Sequence, residues 1–347
     1  MNNIRLFHIS HTDLDGYACQ FLTNEVFPKK HFYNANYGLE VKQALKLVIT
    51  EIKNYQDEKL LLLISDLNLN QQESEELDKD IKSLKDDGFD ITLQLLDHHI
   101  TGKVSAAKYD WYFLDDKRCA TKIVFDYLLK EFKAPLNDYK EWVDTVNAVD
   151  IWLENEKENF EFGKVLMSMV TKAREINSIL FNSLDRDFKF YLLKNSIGFL
   201  SLENAPIVLD NSVHSLKKEF LKDGFDDTLD NLSASYLVKS LDKIKDDLTV
   251  YYNGQKGLMT YCLGAISIPA NSFLRANSDY DFFIDVGRKG NASFRADGKL
   301  DVSQLASKLG NGGGHVNASG CKFDDFIETI NLQEVRAYIQ NKLNNLK

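Results

Sequence analysis

Apolar residues along this chain gather in short unbroken runs that alternate with segments of helical spacing. Ile4 to Ser10, His31 to Asn36, Leu60 to Ser65 and Ile91 to Leu96 read as strands, with Tyr17 to Phe27, Leu39 to Lys53 and Ser74 to Lys85 as helices between them. Such alternation predicts a parallel sheet with helices on both faces. From Cys119 to about Phe220 the spacing is mostly helical: an amphipathic helix over Cys119 to Leu128 follows the Arg118 turn, and others lie near Phe160 to Met169 and Phe188 to Leu200. Strand-like runs return at Leu248 to Tyr252, Leu258 to Leu263, Phe282 to Gly287 and Ala292 to Ala296, and helix-like Val302 to Leu309 precedes strand-like Ala318 to Phe323. The Lys- and Asp-rich stretch from Lys217 to Asp247 reads as a connector. The expected fold is α/β: an N-terminal parallel-sheet domain over 1–216, a helical connector over 217–247 and a smaller C-terminal α/β domain over 248–347, without repeats or low-complexity tracts.

Three of the N-terminal runs stop at metal-competent side chains. Ile4 to Ser10 leads into His11, Asp13 and Asp15 at alternate positions before Gly16; Leu60 to Ser65 leads into Asp66; Ile91 to Leu96 leads into Asp97, His98 and His99. Ligands of an open α/β sheet collect outside the carboxyl ends of its strands, so these groups should converge on one crevice. Four carboxylates gathered there would repel one another, which raises some pKa values or calls for cations between them. Two divalent ions supply that compensation, and carboxylate mixed with imidazole suits Mn²⁺, Zn²⁺ or Fe²⁺ better than Ca²⁺. A carboxylate bridging two ions with a shared hydroxide is the usual device for in-line attack on phosphorus, so phosphate ester hydrolysis is the expected chemistry. Taken singly, an Asp-x-Asp-Gly loop or a His-His pair is a common structural feature; the succession of three strand ends is what points to metal.

In order along the chain, His11-Thr-Asp13-Leu-Asp15-Gly16, Ser65-Asp66, Asp97-His98-His99 and Val146-Asn-Ala-Val-Asp150 resemble the motifs of the DHH phosphoesterase superfamily. Ala292-Ser-Phe-Arg295, Asp301-Val-Ser303 and Gly312-Gly313-Gly314-His315-Val-Asn-Ala-Ser-Gly320 resemble the DHH-associated substrate-binding domain with its Gly-Gly-Gly-His signature. The Asp-Leu-Asp-Gly form, the size and the single associated domain are most similar to the nanoRNase B-type oligoribonucleases. The resemblance implies that Asp13, Asp15, Asp66, His98 and Asp150 bind two Mn²⁺ ions with Asp66 as the bridge, that Asp97 orients an imidazole, and that His99 faces the substrate phosphate. Where some relatives carry a histidine four residues before the first aspartate, this chain has Ile9, leaving His11 and His8 as candidates. Period-two alternation puts His11 on one side of an extended loop with Asp13 and Asp15, whereas His8 would point into the sheet. Asp144 is the rival to Asp150, which ends an apolar stretch and meets Ile151-Trp152.

Three successive glycines, Gly312 to Gly314, let a backbone approach phosphate closely and point amides at it, with His315 as an added donor and Arg295 able to fork onto phosphate oxygens. Arg288 and Arg275 are candidate helpers or ordinary surface charges. Among 347 residues, 44% are hydrophobic, enough for two cores, and no apolar segment reaches the roughly twenty residues that cross a bilayer. Met1-Asn2-Asn3 runs straight into a strand without a basic and hydrophobic leader, and Cys19, Cys119, Cys262 and Cys321 are widely spaced, as free thiols in the cytoplasm would be.

A net charge of −10 argues against the basic stripe that holds long polymers. Ligand carboxylates account for part of it, Lys and Arg outnumber Asp and Glu from Asn271 to Lys322, and a substrate of a few nucleotides needs few phosphate contacts. The expectation is a Mn²⁺-dependent phosphodiesterase or exonuclease, with Asp97, His98 and His99 in the catalytic site, that trims short RNA or dinucleotides to mononucleotides; short single-stranded DNA stays open, as does a homodimer, and no membrane partner is expected. Motion about the connector would close the two domains on the substrate. The alternatives are a phosphodiesterase for cyclic nucleotides, linear dinucleotides or 3′-phosphoadenosine phosphate, a RecJ-like single-strand DNA exonuclease, a non-catalytic nucleotide-binding regulator, and a structural Ca²⁺ protein.

Overall fold

A computed structural model describes residues 3–329 and 331–346. The chain divides into two compact units, one formed by residues 1–173 and 186–216, the other by residues 174–185 and 217–347.

In the first unit the strands are β1 (Ile4–Ser10), β2 (Lys29–Asn34), β3 (Lys59–Ser65), β4 (Asp90–Asp97) and β5 (Tyr112–Leu114). Its helices are α1 (Leu14–Val26), α2 (Leu39–Ile52), α3 (Gln71–Asp86), α4 (Lys103–Lys108), α5 (Ala120–Phe132), α6 (Lys140–Asp150) and α7 (Lys157–Thr171), followed by α8 (Asn182–Ser196) and α9 (Ala205–Leu221), which run across the boundary in sequence between the units. All five strands are parallel in the order β2-β1-β3-β4-β5. One face packs Phe7, Ile9, Leu62, Ile64, Leu93 and Leu95 against Val41, Val48 and Ile52 of α2 and Leu77 and Ile81 of α3. The other face meets α1, where Thr23 and Gln20 bond to His8. Coverage on both faces explains why β3 is an unbroken Leu-Leu-Leu-Leu-Ile run, buried from Leu60 onward.

This strand order places the topological switch point between β1 and β3, whose connections leave in opposite directions. Register then levels the strand ends. Ser10 pairs with Ser65 and Ser65 with Leu96, so the next residues, His11, Asp66 and Asp97, leave the sheet side by side. Gly16 is required where the loop after β1 folds back on α1, because a Cβ there would lie 2.3 Å from the His11 carbonyl oxygen. Gly163 does the same for α7, where a Cβ would lie 2.4 Å from the Thr145 carbonyl oxygen, so α7 rests directly on α6.

In the second unit α10 (Leu229–Asp242), α11 (Lys245–Leu248), α12 (Ser267–Ala276), α13 (Val302–Leu309) and α14 (Leu332–Asn344) accompany β6 (Thr249–Tyr252), β7 (Gln255–Tyr261), β8 (Phe282–Val286), β9 (Asn291–Ala296), β10 (Gly313–His315) and β11 (Ala318–Lys322). The sheet order is β10-β11-β9-β8-β7-β6, with β7 and β8 parallel and the other neighbours antiparallel. Asn253-Gly254, both with positive φ, make the two-residue turn of the β6–β7 hairpin. The stretch from Lys217 to Asp247 is helical over most of its length, in the end of α9, in α10 and in α11.

The N-terminal parallel sheet and the C-terminal mixed α/β sheet are the architecture that the apolar pattern predicts. Several elements fall outside that pattern: β5 and β10 are three residues each and α4 six, too short for a period to register, and α12 and α14 coincide with none of the runs named above. β2 sits two residues earlier than the run from His31 suggests. Among the described residues no helix is long and apolar enough to cross a membrane.

Candidate metal centre

At the carboxyl edge of the parallel sheet, three carboxylates from three segments surround one imidazole nitrogen. His98 Nε2 lies 3.3 Å from Asp66 Oδ1, 3.6 Å from Asp150 Oδ2 and 3.7 Å from Asp15 Oδ2. On the other side of Asp66, His11 Nδ1 is 3.7 Å from Asp66 Oδ2 and bonds to Asp13 Oδ2 at 2.8 Å. Potential ligand atoms of Asp66, His98 and His99, of His11, Asp13 and Asp66, and of Asp15, Cys119 and Asp150 each fall within 4.8 Å of one another. Asp66 is the member common to the first two groups.

The backbone places each acidic residue, and it bonds directly to the carboxylates of Asp15 and Asp13. Asp66 takes the left-handed conformation at φ 56°, and its N–H donates to the Leu96 carbonyl at 3.2 Å, so the chain turns sharply as it leaves β3. Asp15 accepts the Ala120 N–H on Oδ2 and the Thr121 N–H on Oδ1, both at 2.7 Å, while the Thr121 hydroxyl donates to the Asp15 carbonyl. It thereby caps α5, whose own Ncap residue Cys119 offers no side-chain acceptor; the Cys119 N–H goes to Asn147 Oδ1 at 3.0 Å. Asp13 is the Ncap of α1, accepting the Gly16 N–H at 3.1 Å. Asp150 is the last residue of α6, the helix that Gly163 of α7 approaches closely at Thr145 and Val149.

His8 lies outside this cluster. It is fully buried, with Nδ1 2.9 Å from Thr23 Oγ1 and Nε2 2.8 Å from Ser65 Oγ. The Thr23 hydroxyl donates to the Gln20 carbonyl, so His8 Nδ1–H donates to Thr23 and Nε2 accepts from Ser65. Burial, with the Arg186 charge nearby, holds the ring down at a pKa of about 3 and keeps it neutral. Asp144 also stands apart, in ion pairs with Lys122 and Lys140.

His99 donates Nδ1–H to Asp97 Oδ1 at 2.7 Å, and Asp97 Oδ2 accepts the Tyr112 hydroxyl at 3.1 Å, which fixes the ring's tautomer and leaves Nε2 free of Asp97. Tyr37, from the loop before α2, approaches both His99 and His11, with ring centroids 6.0 and 5.4 Å apart. Nothing in the sequence marks Tyr37, Tyr112 or Thr121 for this place. The helix start at Ala120 could have been suspected from a missing Ncap side chain, but not its partner 105 residues away.

Electrostatics show what the cluster is built to hold. Burial and the charges of Asp15 and Asp13 push Asp66 well above the ordinary carboxylate range, and burial with Asp15 raises Asp150 to about 8. At His11 burial opposes the charged ring, but the bond to Asp13 and the nearby Asp66 outweigh it and raise the pKa to about 10. Asp66 Oδ2 and Asp150 Oδ2 are buried without a hydrogen-bond partner. Donors sharing an ion at bond lengths of ~2.1 Å stand about 3.0–3.5 Å apart, close to the separations around His98 Nε2. The carboxylate and imidazole set fits divalent cations.

In the second unit, His315 pairs across the sheet with Ala318, and Ala318 with Arg295, so Arg295 and His315 occupy one row on β9, β11 and β10. Arg295 Nη1 donates to the Phe294 carbonyl at 2.8 Å and Nη2 to Ser267 Oγ at 2.9 Å. A Cβ on Gly312 would meet Cys321 Cβ at 2.5 Å and one on Gly314, at φ 143°, the Ala318 carbonyl oxygen at 2.6 Å, while one on Gly313 would meet nothing within 4 Å. Arg275 closes α12, and Arg288 pairs with Glu328.

Comparison with known proteins adds the following. The model of the DHHA1 domain matches residues 265–345. A 3′,5′-cyclic-nucleotide phosphodiesterase from Helicobacter pylori (strain ATCC 700392 / 26695) is 42% identical over 99% of this chain and 99% of its own. Oligoribonuclease NrnB from Bacillus subtilis (strain 168) is 25% identical over 99% of this chain and 80% of its own. The crystal structure of an uncharacterized protein from Helicobacter pylori G27 superposes with a TM-score of 0.91 at 42% identity, covering 99% of both chains.

Proposed function

This chain belongs to the DHH phosphoesterases, metal-dependent hydrolases, and we propose that it is a phosphodiesterase that cleaves the phosphodiester of small nucleotides, 3′,5′-cyclic nucleotides first among them. The full-length identity with a 3′,5′-cyclic-nucleotide phosphodiesterase carries this reading. The weaker match to oligoribonuclease NrnB, over 80% of that protein, favours a second substrate form, a linear dinucleotide or short RNA, in which the same ribose 3′-oxygen to phosphorus bond is cut.

His11, Asp13, Asp15, Asp66, His98 and Asp150 would hold two divalent cations, Mn²⁺ in this reading, which when bound would lower the pKa of a water and draw charge from the phosphate. Asp15 keeps its carboxylate fixed through two backbone N–H bonds, so it needs no rearrangement when substrate arrives. Asp97 holds His99 by Nδ1 and leaves Nε2 able to carry the proton that the departing ribose oxygen requires. Hydrolysis adds hydroxide to phosphorus and that proton to the leaving oxygen, giving a nucleoside monophosphate. Arg295, His315 and the Gly312 to Gly314 backbone would supply the phosphate-binding groups of the second unit, in which residues 248–347 form the substrate-binding domain. Four free cysteines suit a cytoplasmic setting.

Protein stripped with chelator and reloaded with Mn²⁺ should hydrolyse 3′,5′-cyclic AMP and a linear dinucleotide faster than a 24-nucleotide RNA. Equal or faster cleavage of the long strand overturns the small-substrate reading, and no cleavage of any of the three overturns the activity.

A further inference from the structure

Two residues beyond Asp150, Trp152 occupies a position that its residue type does not favour. It is 59% exposed, and its backbone is left-handed at φ 59°. The Leu153 N–H donates to the Ala148 carbonyl at 2.7 Å, the bond that closes a helix across a left-handed residue, where glycine is the usual occupant. A bulky residue there is a conformational outlier, and an exposed indole recovers little of the cost by burial.

The ring is nevertheless held. Its Nε1–H donates to Glu154 Oε1 at 2.7 Å, and Phe160 meets it edge-on at 5.0 Å between centroids. Phe160 is itself buried, so the anchor is firm. The other tryptophans differ: Trp142 is fully buried and bonded to Ser196, and Trp111 is half-buried and bonded to Asp78. An exposed aromatic ring, pinned at two points and two residues beyond Asp150, matches what a nucleobase requires: every base has a π-face, and a pre-positioned ring loses little entropy on stacking.

We propose that Trp152 is the platform on which the substrate's base stacks while its phosphate lies at Asp66 and Asp150. This rests on the nucleotide reading of the site given above. Stacking on an aromatic ring is worth ~10-fold or more in affinity.

Trp152→Ala should raise KM for 3′,5′-cyclic AMP ~10-fold with kcat changed less than ~2-fold, and Trp152→Phe should keep most of the wild-type KM. On a base-free 3′,5′-cyclic phosphate of 1-deoxyribose the difference between wild type and Trp152→Ala should vanish. Adenosine 5′-monophosphate should quench tryptophan fluorescence of the Mn²⁺-loaded wild type and leave Trp152→Phe unchanged. An unaltered KM for cyclic AMP, an equal KM rise on the base-free diester, or the same quench in Trp152→Phe each overturns the proposal. Should the wild type hydrolyse no nucleotide diester, the activity reading falls by itself, and the quench still decides about Trp152.

Discussion

The acidic cluster of the first unit and the Arg295–His315 row of the second are both built at strand ends and edges, yet they are supported in opposite ways. Around Asp66 the side chains of Asp15, Asp66 and Asp97 are buried, the backbone is constrained, and partners come from segments up to 135 residues apart, as with Asp15 and Asp150. In the row, His315 is exposed on a three-residue strand, with Gly313 and Gly314 exposed beside it. A site that must hold several like charges needs a rigid, partly desolvated frame, because repulsion would otherwise spread it. A site that captures phosphate from water needs reachable donors more than rigidity.

The largest effect should come from the shared carboxylate. Asp66→Ala is expected to lower kcat by ~10³-fold or more, since it removes the group common to both ligand clusters. Thermal unfolding of the metal-free protein should shift little, because the substitution removes a buried carboxyl whose ionisation Asp15 and Asp13 oppose but leaves an alanine at φ 56°. Activity near wild type in a metal-loaded Asp66→Ala protein would show that the cluster is not a bridged pair.

The glycines separate fold from function in the row. Gly314→Ala places a Cβ 2.6 Å from the Ala318 carbonyl oxygen at a left-handed φ, and should cost ~2 kcal/mol or more in a urea titration. Gly313→Ala meets no protein atom within 4 Å, so its stability should match wild type to within ~0.5 kcal/mol. If phosphate approaches this turn, Gly313→Ala alone should still raise KM, whereas an unchanged KM would place the phosphate elsewhere.

How much of this contrast could be read from the residues follows from the same physics. Buried parallel strands announce themselves as Leu60 to Ile64 does, because both faces must be apolar, and their ends announce chemistry because nothing structural calls for Asp66 or for Asp97-His98-His99 there. The Asp15 carboxylate was legible too, but its hold on Ala120 and Thr121 was not. Backbone N–H groups carry no residue identity, and α5 reaches Asp15 only through the tertiary packing of α1 on α5. Tyr37 and Trp152 were silent for another reason: single aromatics in loops have no period. β10 was hidden because Gly-Gly-His lacks strand propensity and pairs only through register with β11.

The frame beneath the cluster can be tested by pH. Neutral His8 ties β1 to Ser65, the residue before Asp66, and its pKa in the folded protein is about 3 against 6.5 for a free ring. As pH falls below ~6.5 the unfolded chain takes up a proton that folded His8 refuses, so this group withdraws ~2 kcal/mol of stability between pH 7 and pH 5, and the loss continues toward pH 3. Guanidinium titrations of wild type and His8→Gln should therefore differ in pH slope over that window, the variant being flatter. Parallel slopes would mean that His8 is accessible to protons in the native state.

The smallest effect should fall on the row. Arg295 already uses one N–H of Nη1 on the Phe294 carbonyl and one of Nη2 on Ser267, which orients the guanidinium and leaves Nε–H and one N–H on each Nη for a phosphate. Arg295→Ala is then expected to raise KM for a nucleotide diester ~10-fold with kcat nearly unchanged, the signature of lost capture and the reverse of Asp66→Ala. Arg295→Lys restores charge without the fork and should recover only part of that loss. A fall in kcat at constant KM for Arg295→Ala would erase the division of labour, because it would put the guanidinium in the bond-breaking step itself.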